Sequence, residues 1–210
     1  MFHRFALLSV LLLPAASAAQ SSAPPFTFEE TGQTFWRLQD AVKAVGGGDG
    51  TIAIAPGTYR QCAVVERGHI TFRAATPGTV IFDSVTCEGK ATLVLRGAGA
   101  DVDGIIFQNM RVPDRNGSGI RLEKGNLKVV NAVFRNSEQG ILTASDPAGA
   151  ISIDRSTFSG LGGCPDGMCS HAIYIGDYGK LSVTRSRFER GTGGHYVKSR
   201  AARAEITDSS

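Results

Sequence analysis

Four eight-residue segments of this chain repeat one pattern of apolar and polar positions. They cover residues 100–107, 127–134, 151–158 and 181–188, and each ends on Phe. Their first and third positions are mostly apolar, with polar or charged residues between them, which is the alternation of a strand that buries one face. The repeats contain no helical periodicity. The pattern therefore predicts a structural repeat built from strands.

The repeated Phe residues set the register of the predicted units. They are Phe107, Phe134, Phe158 and Phe188, separated by 27, 24 and 30 positions. A second short apolar segment follows each of them after a turn, at residues 119–122, 140–143, 172–175 and 196–199. Two or three short strands in a unit of this length describe one coil of a solenoid with parallel strands. We expect the four Phe side chains to form one continuous column.

A looser version of the pattern precedes these repeats. Short apolar runs occupy residues 51–55, 70–72, 80–82 and 93–95, and Gly, Pro or a polar turn closes each. Together with the repeats they predict an all-β parallel β-helix of roughly six or seven coils, stacked at about 4.8 Å per coil. Asn109 and Asn136 each lie two positions after a repeated Phe, and we interpret them as turn residues because Asn tolerates left-handed backbone.

One segment of the sequence has helical spacing. Apolar residues recur through residues 34–45 at helical intervals, namely Phe35, Leu38, Ala41, Val42 and Val45. Thr34 is the expected N-cap, and the glycines at 46–48 are the expected stop. A solenoid leaves the apolar end of its first coil open, and an amphipathic helix covers such an end. The sequence therefore predicts a capping helix over residues 34–45.

The N-terminus has the composition of an export signal. Arg4 precedes a mostly apolar run over residues 5–13, and small residues follow at 15–19. Such a run is too short to span a bilayer, which needs about 20 residues, and it is typical of a cleaved signal peptide. We predict a signal peptide at 1–18, an N-terminal extension at 19–33 and one β-helix domain at 34–210. The expected location is secreted or periplasmic, without a membrane anchor.

The last residues copy the start of the repeat. Residues 204–210 match its first seven positions, so the aligned Phe would fall just past the final residue. An unpaired parallel edge at that point is a feature that folded proteins avoid. The expectation is a chain truncated at its C-terminus.

The net charge and the distribution of basic residues bear on which partners the protein could bind. The formal net charge is +3 at pH 7, and it falls by one if Arg4 is removed with the leader. The positive residues form no basic block, which argues against a nucleic-acid binder. We expect a monomer.

The predicted cap, the segment G-T-I-A-I-A-P-G-T-Y at residues 50–59 and the repeats resemble the right-handed parallel β-helix proteins of the pectin-lyase-like superfamily. The resemblance covers nearly all of the mature chain. It implies the fold and leaves the activity open, because that fold hosts lyases, hydrolases, epimerases and proteins without known chemistry.

Motifs of particular activities are mostly missing. Of the polygalacturonase-like motifs N-x-D, D-D, G-H-G and R-x-K, only Gly194-His195 gives a partial match. Asp101 and Asp103 share one strand face, but their aligned residues are not acidic in a consistent way, so we interpret them as a solvated edge rather than a hydrolytic pair. A calcium site needs converging carboxylates, whereas the C-terminal coils are rich in Lys and Arg. We predict no cofactor.

The polar cluster that could carry chemistry lies in the last two repeats. Aligning Ile173 with Val197 places His171 beside His195 and Tyr174 beside Lys198, each about 4.8 Å apart. Arg200 is expected on the same face as Lys198. These five residues are the predicted catalytic set: His171, Tyr174, His195, Lys198 and Arg200. His171 and His195 each lie two positions before an inward-pointing residue, Ile173 or Val197. Both would therefore point inward unless the backbone bends before the strand.

This residue set suits β-elimination on a uronic acid. A cation screens the substrate carboxylate, a base removes the proton α to it, and Tyr or His protonates the leaving oxygen. The first hypothesis is thus an exported carbohydrate-active protein, a polysaccharide lyase rather than a glycoside hydrolase, that acts on or binds acidic polysaccharide. The alternative is a non-catalytic structural or surface-interaction solenoid in which the same residues decorate the coils.

Four cysteines have two possible uses. In an oxidising compartment Cys164 would pair with Cys169 and Cys62 with Cys87, and both bridges would be structural. The alternative is a metal site formed by Cys164, Cys169, His171 and His195, which are suitable ligand types. Export and the even number of cysteines favour the two disulfides.

Overall fold

The structure is a computed structural model that describes residues 23–210. The predicted signal peptide, residues 1–18, lies outside this range. No helix in the described part of the chain has the length and apolar character needed to cross a membrane.

The chain forms three β-sheets, which we name by their order along each coil. The first sheet holds Gln33–Phe35, Phe26–Phe28, Asp49–Ile54, His69–Ala74, Gly99–Asp103, Asn126–Val130, Asp146–Asp154, Tyr178–Thr184 and Arg203–Thr207. The second sheet holds Gly57–Tyr59, Val80–Asp83, Ile105–Gln108, Val133–Arg135, Thr157–Ser159 and Arg187–Glu189. The third sheet holds Ala63–Val65, Ala91–Leu95, Ser118–Leu122, Gln139–Thr143, Ile173–Ile175 and Val197–Ser199.

Successive coils supply neighbouring strands in each sheet, and from residue 49 onward all these pairings are parallel. Each eight-residue repeat therefore contains two strands, one in the first sheet and one in the second. The bend between them is made by a residue with positive φ in each repeat: Gly104, Asn131, Arg155 and Arg185. The predicted parallel β-helix is confirmed, and the seven parallel strands of the first sheet agree with the expected number of coils.

Aromatic rings form a column under the second sheet. The column runs through Tyr59, Phe82, Phe107, Phe134, Phe158 and Phe188, each paired in register with the next. Ring centroids are 5.1 Å apart between Phe107 and Phe134 and 4.9 Å apart between Phe134 and Phe158. Offset rings at this spacing attract one another as well as excluding water. The predicted column of four Phe side chains is confirmed and extends two coils further towards the N-terminus.

The N-terminal helix is shorter than the sequence predicted. It spans Leu38–Val45, and Leu38, Ala41 and Val42 are buried in the core. The predicted start at Thr34 was wrong, because Thr34 pairs with Thr27 in an antiparallel strand ladder. The first free amide of the helix, that of Leu38, donates to Oε1 of the Gln61 side chain at 2.8 Å. A side chain 23 residues away thus replaces the expected local cap.

Two disulfides are present, as predicted. Cys62–Cys87 joins successive coils beside the third sheet, across a separation of 25 residues. Cys164–Cys169 closes a loop of separation 5, which contains the short 3₁₀ helix Pro165–Gly167. That loop precedes the strand Ile173–Ile175, so it holds the backbone from which the predicted cluster begins.

Candidate functional site

The five predicted residues lie together at the C-terminal end of the third sheet. Tyr174 and Lys198 are directly paired on the neighbouring strands Ile173–Ile175 and Val197–Ser199. His171 and His195 occupy the turns that lead into these strands, and Arg200 follows the second of them. The predicted neighbours are therefore neighbours in the structure.

Tyr174 is the centre of the cluster. Nζ of Lys198 lies 4.5 Å from the centroid of its ring, and Cζ of Arg200 lies 5.9 Å from it. The ring of His171 meets Tyr174 edge-on, with centroids 5.4 Å apart. Cations over an aromatic face are attracted by its quadrupole. The ring thus holds two positive groups at one place on the outer face of the sheet.

The two His side chains differ in exposure. His171 is only 3% exposed, because it packs against the Tyr174 ring and the His195 turn, whereas His195 is exposed. The backbone amide of His195 donates to Nδ1 of His171 at 3.0 Å, and Nδ1 of His195 lies 3.4 Å from the same atom. Since Nδ1 of His171 accepts a proton, its own ring proton is on Nε2. His171 therefore supports the turn that presents His195.

Burial and nearby positive charge favour the neutral form of His171. Burial lowers the pKa of His171 below its ordinary value of 6.5, and the charges of Lys198 and His195 lower this pKa further. Desolvation and like charge both disfavour the imidazolium form. The neutral ring matches its role as a hydrogen-bond acceptor.

A glycine makes the close approach of the two turns possible. Gly194 has φ +70°, and a Cβ at this position would lie 1.9 Å from the carbonyl oxygen of Ser170 and 2.8 Å from Nδ1 of His171. Its amide donates to Sγ of Cys164 at 3.1 Å. Only glycine combines this backbone conformation with so little space. The disulfide loop and the Gly194 turn thus pack directly against each other.

The metal alternative does not agree with the structure. Cys164 and Cys169 are bonded to each other, so neither offers a thiolate. Within residues 23–210, no group of three or more His, Cys, Asp or Glu side chains is placed to hold a metal ion.

Sequence reasoning missed three surface hollows. Two lie on the outer face of the first sheet, with volumes of about 310 and 370 Å³, and they share Asp101, Lys128 and Ser152. Asp101, interpreted from sequence as part of a solvated edge, accepts a hydrogen bond from His69 at 3.1 Å when Nε2 of that ring carries the proton. A third hollow, of about 430 Å³, follows the second sheet and includes Arg135 and Arg190. The lining residues of each hollow come from several coils, so no short sequence motif predicts these hollows.

Comparison with known proteins agrees with this architecture. The structure is similar to a crystal structure of a pectin methylesterase from Aspergillus niger, with a TM-score of 0.56 and 12% identity, covering 93% of this chain and 78% of that chain. The chain shares the parallel β-helix fold of that protein. No family model matches its sequence, and no curated protein matches it. At this level of identity the fold is shown and the activity is not.

The contact between His171 and the His195 amide leads to a prediction about pH. The neutral ring is favoured in the folded state, so its contribution to stability is present above about pH 6.5 and is lost as pH falls below the unfolded value of 6.5. Protonation of Nδ1 removes the acceptor for the His195 amide. We expect the hydrogen-exchange protection factor of that amide to fall on acidification towards pH 5. The matched control is the Ala98 amide, which donates to the Gly68 carbonyl oxygen; equal changes at both amides would contradict the assignment.

Proposed function

We propose that this protein is an exported carbohydrate-active β-helix that binds acidic polysaccharide on the outer face of its third sheet and cleaves it by β-elimination. The observation that carries the proposal is the Tyr174 ring, which lies beside two cations and the His pair. A negatively charged sugar fits this surface because Lys198 and Arg200 form no ion pair among the described residues. The two disulfides fit an oxidising compartment outside the cytoplasm.

The chemistry assigned to the cluster is proton transfer with electrostatic stabilisation. Lys198 and Arg200 bind the uronate carboxylate and stabilise the negative charge that develops on it. His195, which is exposed, takes the proton from the carbon α to the carboxylate. The electron pair forms the new carbon–carbon double bond, the bond from the β carbon to the glycosidic oxygen breaks, and that oxygen takes a proton from the Tyr174 hydroxyl.

β-Elimination fits these residues better than hydrolysis. Hydrolysis of a glycoside uses two carboxyl groups that flank the bond, and none of the five cluster residues is an Asp or Glu. Elimination instead needs a base, an acid and positive charge near a carboxylate. The cluster offers each of these on two neighbouring strands and the residues that flank them.

The test is turnover of a polyuronate panel by the full-length protein. Pectate, alginate and glycosaminoglycans are supplied separately, and the absorbance of the unsaturated uronate product is followed. Replacing His195 by Ala is expected to reduce the rate about 10²–10⁴-fold, the usual contribution of a general base. Lys198→Ala is expected to reduce it by about 10²-fold through the loss of charge stabilisation.

Matched controls come from the first sheet. His69→Ala and Lys180→Ala make the same chemical changes on another outer face and are expected to leave the rate unchanged. A wild-type protein that binds the polymer without turnover would exclude the lyase and leave a glycan-binding solenoid. If the protein binds no polyuronate and neither cluster variant has an effect, the non-catalytic structural solenoid is the remaining hypothesis.

A further inference from the structure

The hollow that follows the second sheet has the composition of an anion site. It has a volume of about 430 Å³, and its lining includes Gln108, Asn109, Arg135, Asn136 and Arg190. Four successive coils place a residue with positive φ at this turn, with φ 62°, 53°, 64° and 52° for Asn109, Asn136, Gly160 and Arg190. None of the lining residues is acidic. Amide and guanidinium groups therefore converge on one concave surface.

Arg135 is held in place inside this hollow. Its Nε donates to Oε1 of Gln108 at 2.8 Å, which fixes the plane of the guanidinium. Within residues 23–210 no carboxylate forms an ion pair with Arg135. A guanidinium that is oriented through Nε keeps its two terminal nitrogens available for an anion, and two parallel hydrogen bonds to a carboxylate are its preferred geometry.

The nearest acidic groups already have partners. Asp83 accepts hydrogen bonds from Asn109 and from Ser84, and these bonds lower its pKa. Glu189 pairs with Arg187 at 2.9 Å, and its distance to Nη2 of Arg190 is 3.6 Å. The Arg190 side chain itself is 79% exposed. Glu189 also accepts a hydrogen bond from Ser159, a lining residue, at 3.2 Å. The lining itself carries two Arg side chains and no carboxylate.

A single turn connects the hollow to the His cluster. Residues 191–194 follow Arg190. A smaller hollow, of about 200 Å³ and not described above, is lined by Gly191, Gly193, Gly194 and Tyr196. Its glycines leave the backbone bare, and Tyr196 is 46% exposed. Aromatic rings of this kind present an apolar face with a polar tip. Along the chain, this turn therefore joins the cation of Arg190 to the exposed ring of Tyr196 and to His195.

We propose that the Arg135–Arg190 hollow is a distal subsite that binds the carboxylate of a second uronic acid on the same polysaccharide chain. The inference rests on the function proposed above and adds a direction to it, since the glycan would run from the His cluster across Tyr196 to Arg135. Arg135 forms the two-point contact with the carboxylate, and Arg190 supplies additional charge. The asparagine amides donate to sugar hydroxyl groups.

The experiment measures binding by calorimetry at low salt with oligouronates graded from dimer to polymer. It uses the His195→Gln background so that chains are not cleaved during the measurement. Arg135→Gln is expected to raise Kd about tenfold for chains long enough to reach the hollow, and to leave Kd for the shortest binding oligomer unchanged. Arg203→Gln removes the same charge from the first sheet and is expected to change neither value. A sulfated, carboxylate-free polymer of equal charge density tests whether the hollow selects carboxylate; equal dependence on Arg135 would reassign it to sulfate.

The outcomes separate this inference from the proposed function. If long chains bind equally well with and without Arg135 while Lys198→Ala weakens binding, the distal subsite is wrong and the cluster assignment stands. If Arg135→Gln weakens binding while Lys198→Ala has no effect, the proposed function fails and the hollow is the main glycan site. If Arg135→Gln weakens short and long chains alike, the residue is not distal. Absence of binding by all oligouronates and by the sulfated polymer would overturn both proposals.

Discussion

Replacing Phe134 by Ala is expected to lower the free energy of unfolding by about 3–5 kcal/mol. Phe134 is 1% exposed and lies in the middle of the aromatic column, with ring centroids 5.1 Å from Phe107 and 4.9 Å from Phe158. Gly119 packs so closely that a Cβ there would lie 2.8 Å from the Phe134 ring. Removing the ring leaves a cavity bounded by strands on neighbouring coils, which cannot collapse without breaking register. Urea denaturation measures the change.

Two other aromatic residues serve as controls for the Phe134→Ala prediction. Phe188→Ala removes the same group from the end of the column, where the side chain is half-buried, and is expected to cost less. Trp36 is 57% exposed, so Trp36→Ala is expected to change stability by no more than about 0.5 kcal/mol. Equal losses for Phe134 and Phe188 would mean that the column does not act as a continuous packed unit.

Removing the Cys62–Cys87 bridge is expected to cost about 3.5 kcal/mol of stability. The bridge spans 25 residues and ties one coil to the next, so its loss frees a long loop in the unfolded chain. The double variant Cys62→Ala/Cys87→Ala avoids an unpaired thiol. Thermal and urea denaturation of this variant under non-reducing conditions measure the difference.

The second disulfide supplies the internal comparison. Cys164 and Cys169 are separated by 5 residues, and the same loop-entropy relation gives about 2 kcal/mol for the double Ala variant. The order of the two losses is the test. A greater loss for the short loop would show that its disulfide acts mainly in the folded state, through the packing of Gly194 against Cys164.

The architecture was predictable because its signal repeats. Phe107, Phe134 and Phe158 occupy equivalent positions in consecutive units, and an error in register would have moved every apolar side chain to the wrong face. The helix start was not predictable, since the group that satisfies the Leu38 amide is Gln61 on another coil. Local propensity favoured Thr34, and pairing of Thr34 with Thr27 in a strand outweighed it.

The candidate site was predictable in its neighbours and less so in its exposure. Aligning two strands is enough to place Tyr174 beside Lys198, because parallel pairing fixes that contact. The burial of His171 depends on the path of its turn. The contact with Gly194 and the disulfide loop together determine that path. The Arg135 hollow has no signature in sequence, because Gln108, Arg135 and Arg190 belong to three different coils.

The stacked Phe residues are unequally separated along the sequence but equally spaced in the column. Units of 24 and 30 residues give the same stacking distance of 4.9 Å between Phe134, Phe158 and Phe188. The extra length therefore lies in the connection that carries the disulfide and leads to His171. Such a connection can be exchanged for one of different length and chemistry while the scaffold beneath it is kept, so new ligand preferences could evolve on this protein by substitution of whole loops.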